Sequence, residues 1–358
     1  MIGTRVTRSL LASLVLATVL LPTFPVEAED LALLPLKQRA RNAEAAAAVE
    51  IALELQLTAF GEVARGEVAR SALRRLRLRD PEIASPDVLR ELATELGAAW
   101  LVAATLHDVS THPVPDLAVS MRLYDGTSGQ LVWAGFQGRS GLDGRSVLGL
   151  GVLTSLDAVS AELVRRLLEE APIGGDPNAR TPRRSDPVSH SELGKLAIVP
   201  FTSYVAQDAL AVAEAATEAV RAVLFRAGAE LASASCVHES LRRQRAQAWG
   251  ELAVDTREYL ASTCGASHLL TGSVEHWDRA GSGLEPEPEI ALSVRLLDAQ
   301  TGQIQWMDSR EAAGWDRGSF FGLRRVFSRG VLLDKLLADL IKTLGRLDLA
   351  VATPGPRG

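Results

Sequence analysis

Two cysteines, no basic excess and no apolar run long enough to span a bilayer set the first limits on this chain of 358 residues. Lys and Arg number 38 against 44 Asp and Glu, a net charge of −6. Phosphate neutralisation needs clustered Lys and Arg, and no concentrated basic stripe is present, so nucleic acid is not an expected partner. The chain carries no P-loop, no G-x-S-x-G elbow, no H-E-x-x-H and no C-x-x-C. The phosphate, acyl-transfer, zinc and dithiol chemistries that those spacings serve therefore have no residues to carry them. Gly149-Leu150-Gly151 stands without a third glycine, a preceding strand or a distant acid, which a dinucleotide site requires. No cofactor is expected.

What is present begins with a leader. Arg5 and Arg8 precede the apolar run Leu10 to Leu21, and Pro22, Pro25 and Val26-Glu27-Ala28 follow it. A positive start, a short apolar stretch and small residues at a cleavage site read as a secretory signal peptide over residues 1–28. The run falls short of the roughly 20 residues that cross a bilayer, and breakers follow at once. The expectation is a mature protein beginning near Glu29, periplasmic or secreted, without stable membrane insertion. Neither cysteine lies near the leader, so lipid attachment there has no thiol. Export would place Cys236 and Cys264 where a disulfide survives. A bridge and two separately buried thiols both fit, because sequence does not give the Cα separation that decides between them.

The chain is written twice. Leu117 to Asp143 lies ungapped on Ile290 to Asp316, with Arg122, Leu123, Asp125, Gly129, Gln130, Trp133, Gly141 and Asp143 matching Arg295, Leu296, Asp298, Gly302, Gln303, Trp306, Gly314 and Asp316. Gly97 to Ser110 corresponds to Gly265 to Asp278, and Leu31 to Leu36 to Leu196 to Phe201. Three matched blocks in the same order mark a duplicated unit. The expected organisation is a first domain over 29–170, a Pro-, Gly-, Ser- and Arg-rich linker over 171–194, a second domain over 195–346 and a tail over 347–358. With little in the linker to fuse their cores, the two copies are expected to fold as separate units.

Each copy reads as β-α-β-α-α-β-β-β-α. A short apolar strand leads into an Ala-rich helix, Arg41 to Leu57 or Asp208 to Ala227. A brief strand and two helices follow, the second closed by Gly97 or Gly265. Three strands then run as a meander. In Ile290 to Leu297 alternation places Ile290, Leu292, Val294 and Leu296 on one face and Ser293 and Arg295 on the other. Asp125 to Gly129 and Asp298 to Gly302 carry the turns. Terminal helices are expected over Val147 to Leu168 and Phe320 to Leu344. The fold class is α/β: two tandem copies, each a mixed sheet with packed helices.

The run Gly265-Ala266-Ser267-His268-Leu269-Leu270-Thr271-Gly272-Ser273-Val274, followed by Ile290 to Trp306, resembles the envelope domains typified by the TolB N-terminal domain and by CsgG. The first copy is a degraded match, with Ala103-Ala104 in place of Thr271-Gly272. The resemblance covers most of both copies and implies binding or assembly modules of the cell envelope that use no cofactor. It does not extend to a CsgG-like pore. The connections His107 to Asp116 and His276 to Glu289 are short, polar and proline-bearing, unlike membrane-spanning hairpins of about 9–11 residues per strand.

Candidate chemistry is thin. His107, Asp108, His112 and Asp116 share one expected loop, but Pro113 and Pro115 extend it and the second copy offers no equivalent set, so no metal site is assigned. His268 and His276, eight apart on one strand, would lie about 26 Å from each other, too far to share an ion. Asp125 with Asp143, and Asp298 with Asp316, are repeated acids: turn or cap residues on one reading, paired carboxylates of an exported hydrolase on the other. Trp133 and Trp306 read as buried strand anchors. The acidic, proline-bearing stretch Gly281 to Glu289, with Glu285, Glu287 and Glu289, is the candidate partner-binding loop. The reading is a non-enzymatic, exported interaction or assembly module binding a protein or other envelope component, with the hydrolase as the alternative. What separates them is whether the repeated acids face a pocket or cap backbone.

Overall fold

The structure, a computed structural model, describes residues 31–111, 114–146, 150–173, 194–244, 252–280, 287–316 and 325–344. The expected linker lies almost entirely outside these residues, as do the leader and the tail.

In the first copy β1 (Leu31–Leu33) is fully buried and runs parallel to both β3 (Val63–Ala64) and β4 (Trp100–Ser110). β5 (Asp116–Asp125) and β6 (Leu131–Ser140) continue antiparallel, and β2 (Lys37–Gln38) pairs with β4 beyond the end of β1. The sheet order is β3-β1-β4-β5-β6. Leu117, Val119, Met121 and Leu123 alternate along β5 onto one face. There they meet α1 (Ala43–Leu57) and α4 (Leu156–Glu170) through Val49, Leu53, Leu163 and Leu167. Asn42 starts α1 by accepting the Ala45 amide at 2.9 Å. A smaller core lies on the opposite face, where α2 (Glu67–Arg75) and α3 (Pro86–Leu96) cover β1 and the start of β4. A 3-10 turn at Pro81–Ile83 joins these two helices.

The second copy repeats this plan. β7 (Leu196–Ile198) and β8 (Thr202–Ser203) lie parallel to β9 (His268–Ala280), and β10 (Glu287–Asp298) and β11 (Ile304–Ala313) follow antiparallel. Its helices are α5 (Ala209–Arg226), α6 (Ala234–Arg243), α7 (Val254–Cys264) and α8 (Arg329–Leu344). The brief strand expected after α5 shrinks to one parallel bridge, Leu196 to Leu231. Both terminal helices start later than their apolar content suggests. In the first copy Gly151 holds φ +87°, and Ser155 caps the helix by accepting the Ala158 amide at 3.2 Å. In the second, residues 325–328 approach the helix as irregular chain with Val326 and Phe327 buried.

The two copies pack on each other. α5 is apolar on nearly every side and buried along most of its length, the pattern of a helix enclosed by protein rather than one resting on a single sheet. It packs with α8 against its own sheet on one side and against the free face of the first sheet on the other. Ala118 and Phe136 of the first copy belong to the second copy's core. At the closest point Gly138 of β6 faces Gly330 of α8, and a Cβ on Gly138 would stand 2.5 Å from the Gly330 Cα. Only glycine allows backbone to approach backbone so nearly. The contact between the copies arises because the second copy's Ala-rich helix carries two packing faces, which a one-dimensional apolar period does not distinguish from one.

Cys236 at the start of α6 and Cys264 at the end of α7 are joined by a disulfide with a Cα separation of 5.8 Å, closing a loop of 28 residues. Chain-entropy arithmetic for such a loop gives about 3–4 kcal/mol. Reduction, or Cys264→Ser, is expected to lower the unfolding free energy by about 3–4 kcal/mol, measured by urea unfolding with and without reductant.

Candidate functional site

The alternation of β5 that sends leucines to α1 sends Ser120, Arg122 and Tyr124 to the other face, towards α5. Arg122 reaches Glu218 of α5 with a two-pronged ion pair, Nη2 to Oε1 at 2.6 Å and Nε to Oε2 at 2.9 Å. Its Nη1 donates to the Glu82 carbonyl at 2.6 Å and to the Tyr124 hydroxyl at 3.3 Å. Arg122 is 4% exposed and Glu218 5%, so the pair is sealed in the junction. Burial raises the carboxyl pKa of Glu218, but Arg122 and Arg221 overcome it and hold it down at about 2.

A chain of charges extends from this pair. The Lys37 ammonium meets Asp80 at 2.8 Å, Glu82 at 3.0 Å and Glu214 of α5 at 2.7 Å, and Arg39 also pairs with Glu214. Burial would lower the Lys37 pKa; Glu82, Glu214 and Asp80 outweigh it and hold the pKa above the ordinary lysine value. The second Glu82 oxygen accepts from Thr105 at 2.7 Å. Arg221, one turn along α5 from Glu218, is 5% exposed, and its Nε lies 3.4 Å from Glu218. Burial pushes its pKa down; Glu218 opposes this and Arg122 adds to it. Two cavities flank the network, of about 460 and 340 Å³, and Glu82, Arg122 and Arg221 border both. The larger is also walled by Tyr124, Gln130, Lys195, Phe225, Ser233 and the Cys236–Cys264 bridge.

A second polar seam closes the junction at its far end. Asp116 pairs with Arg279 and accepts the Arg329 amide at 3.4 Å, while Asp108 Oδ1 accepts from Arg329 Nη2 at 2.6 Å. Arg329 also lies 5.6 Å over the Trp277 ring, a cation–π contact. Burial, with Asp108 and Asp143 nearby, outweighs Arg279 and a hydrogen bond from Ser328 and raises the Asp116 pKa from 3.8 to about 7. Between those values the folded chain binds more protons than the unfolded one, so this group's contribution to stability is largest near pH 4 and lost as pH rises through 7. The stability of the wild type relative to Asp116→Asn, followed by urea unfolding from pH 4.5 to 8, is expected to fall across that range. A flat difference would remove Asp116 as the titrating group.

The residues singled out from sequence fall in different places. Asp125 accepts the Ser128 amide at 2.7 Å, and Asp298 accepts the Gln300 and Thr301 amides at 3.0 and 2.6 Å. Asp143 accepts the Ser140 amide and Asp316 the Ala313 amide, each at 2.7 Å. Asp125 and Asp143 lie at opposite ends of β6, about 30 Å apart by strand rise, so the repeated acids of a copy cap backbone and do not converge. Trp133 is buried and Trp306 packs half-buried against the second core. His107 lies in β4, not in a loop: it is buried, and its Nε2 is 2.8 Å from the Ser120 hydroxyl. Burial lowers its pKa, against Glu214, Glu218 and Glu82. Asp116 opens β5, and His112 lies outside the described residues; among those described, no group of three His, Cys, Asp or Glu is placed to hold a metal.

The acidic stretch proposed for partner binding is also divided. Glu285 lies outside the described residues, whereas Glu287 and Glu289 belong to β10. Glu287 is buried against Arg325 at 2.9 Å, and Glu289 sits 3.4 Å from His276 Nε2. The hairpin strands extend further than the proline content suggests, since Pro288 pairs with Arg279 and leaves the ladder intact. Glu287 is therefore not a freely exposed recognition residue. Sequence reasoning did not find Glu218 and Arg221. The signal was there: Glu214, Glu218 and Arg221 are charges at i, i+4 and i+7 in a helix otherwise Ala- and Val-rich, which marks a buried polar stripe.

No family model and no curated protein matches the chain. Among solved structures it is similar to the PelC dodecamer of Paraburkholderia phytofirmans, at 20% identity and a TM-score of 0.28, over 42% of this chain and 86% of that one. It is also similar to lipoprotein GNA1162 of Neisseria meningitidis, at 14% identity and TM-score 0.27, over 31% and 80%. The LpoB C-terminal domain of Salmonella enterica gives 20% identity and TM-score 0.24, over 33% and 81%. Each of these matches spans less than half of this chain. The TolB-like or CsgG-like assignment is not among what they establish, and no activity passes from them to this protein.

Proposed function

We propose that this chain is an exported, non-catalytic binding module of the cell envelope whose recognition site is the cleft between its two copies. The observation that carries the reading is that cleft: side chains of both copies line it, and a buried ion-pair network across the junction fixes its shape. Rigid placement of polar groups beside a cavity of about 460 Å³ is what a binding site needs. The leader-like N-terminus and the resemblance to TolB- and CsgG-like domains support the envelope as the location. Among the described residues no helix is long and apolar enough to cross a membrane. Against the hydrolase alternative, Asp143, Asp298 and Asp316 accept backbone amides, and the two acids of a copy do not converge; Asp298 alone also borders an open pocket, beside His268 and Glu258.

The test is site-specific photocrosslinking in native cells. A crosslinker at Gln130 or Ser235, on the cleft rim, is expected to capture one discrete envelope component, and a crosslinker at Thr271 on the second sheet is not. Equal capture from all three positions, or from Thr271 alone, would reject the cleft as the recognition site.

A further inference from the structure

We infer that the larger junction cavity binds an oxyanion, the carboxylate or phosphate group of a small ligand, on the guanidinium of Arg221. The inference rests on the reading of the cleft as a binding site and names what it recognises. Two buried arginines stand in the junction, Arg122 on β5 and Arg221 on α5, and they are not equivalent. Arg122 is satisfied by Glu218, Tyr124 and the Glu82 carbonyl. Arg221 has one contact, from Nε to Glu218 at 3.4 Å; among the described residues its two Nη groups make no hydrogen bond, and the side chain borders the cavity. The residue is 5% exposed, and the solvent its Nη groups reach is that of the bordering cavities, where an anion can take the place of water.

The cavity walls point to what that acceptor is. The charged residues on them are Arg122, Arg221 and Lys195 against Glu82, and the two Glu82 oxygens are occupied by Lys37 and Thr105. Arg221 borders both cavities, whereas Glu218 borders only the smaller one. The N-terminal turn of α6 opens on the same space, with Ser233, Ala234 and Ser235 on its wall, adding the partial positive charge of a helix start. The Cys236–Cys264 bridge ties that turn to α7. The planar fork of an arginine matches the paired oxygens of a carboxylate or phosphate. Leu89, Leu131, Phe225 and Leu231 complete the wall, so an apolar body beside the anionic group fits.

The probes are inorganic phosphate and butyrate, titrated into the oxidised full chain against sodium chloride of equal ionic strength, with thermal midpoint and calorimetric stoichiometry as readouts. One site per chain is expected, with a rise in midpoint that follows ligand concentration. Arg221→Gln is expected to weaken binding at least tenfold. Because a buried substitution risks the fold, Lys195→Gln on the half-exposed rim is the second variant; it is expected to weaken binding severalfold with an unchanged far-UV spectrum. Tighter phosphate assigns a phosphate-bearing ligand, and tighter butyrate a carboxylate with an apolar body. No saturable binding of either probe, or equal binding by wild type and both variants, overturns the anion site. If the crosslinks from Gln130 and Ser235 persist after that outcome, the cleft reading stands and only its ligand chemistry falls; if both fail, the cleft reading falls as well.

Discussion

Gly138→Val is expected to separate the two copies. A Cβ there would stand on the backbone of α8, 2.5 Å from the Gly330 Cα, and neither backbone can give way as a flexible side chain would. Overpacking of a well-filled interface costs about 1–3 kcal/mol and occasionally more, and a clash between two backbones belongs at the upper end. The residue aligned with Gly138 in the second copy is Glu311, exposed on β11, and Glu311→Val is expected to leave the fold within about 0.5 kcal/mol. Trypsin cleavage at Arg180 or Arg183 supplies the readout. Nicked wild-type chain should elute as one particle on gel filtration, held by the junction, and nicked Gly138→Val should elute as two. If the nicked wild type dissociates by itself, the buried junction described above is wrong.

Arg122→Leu is the second large effect. It leaves Glu218 buried without its principal partner and the Glu82 carbonyl without a donor, and breaking one side of a buried pair costs about 3–5 kcal/mol. Arg295 occupies the matching position of the second copy and is exposed, so Arg295→Leu is expected to change stability by less than about 0.5 kcal/mol. Urea unfolding of the two variants side by side is the measurement. Similar losses from both would mean that the ion pair holds its own strand and not the junction. Arg122→Leu together with Glu218→Leu is expected to recover much of the single loss, because removing both charges with similar volume avoids the unpaired charge. The Glu218 carboxyl is held near pKa 2, so its contribution is present above the unfolded value of about 4.5 and lost as pH falls towards 2. Arg122→Leu should flatten that acid limb.

These two contrasts follow from one asymmetry of the duplication. The same position of the repeat, Arg122 or Arg295, is a buried anchor in one copy and a solvent-exposed side chain in the other, because only the first sheet has a second copy's helices laid across its face. The outer face of the second sheet carries Ser293 bonded to Ser309 and Glu275, a polar surface that needs no cover. The junction is therefore one-sided: one copy supplies a sheet and the other supplies α5 and α8. A cleft lined by both exists for that reason.

The sequence by itself determined the repeat, the order of elements and the turns. Asp125-to-Gly129 and Asp298-to-Gly302 follow from local chemistry: an Asp accepting amides two or three residues on, and Gly129 and Gly302 at φ +69° and +73°. The backbone-capping duty of the repeated acids was legible for the same reason. What only the tertiary structure decided are facts about residues far apart in the chain. Whether Cys236 and Cys264 meet depends on how α6 and α7 pack, and whether Glu287 is exposed depends on where the strand ladder ends. Arg122 and Glu218, 96 residues apart, become one site because α5 is covered on two sides. Glu214, Glu218 and Arg221 mark one stripe of α5, but its Ala-rich remainder does not say which element lies on each side, and the second is supplied by the other copy.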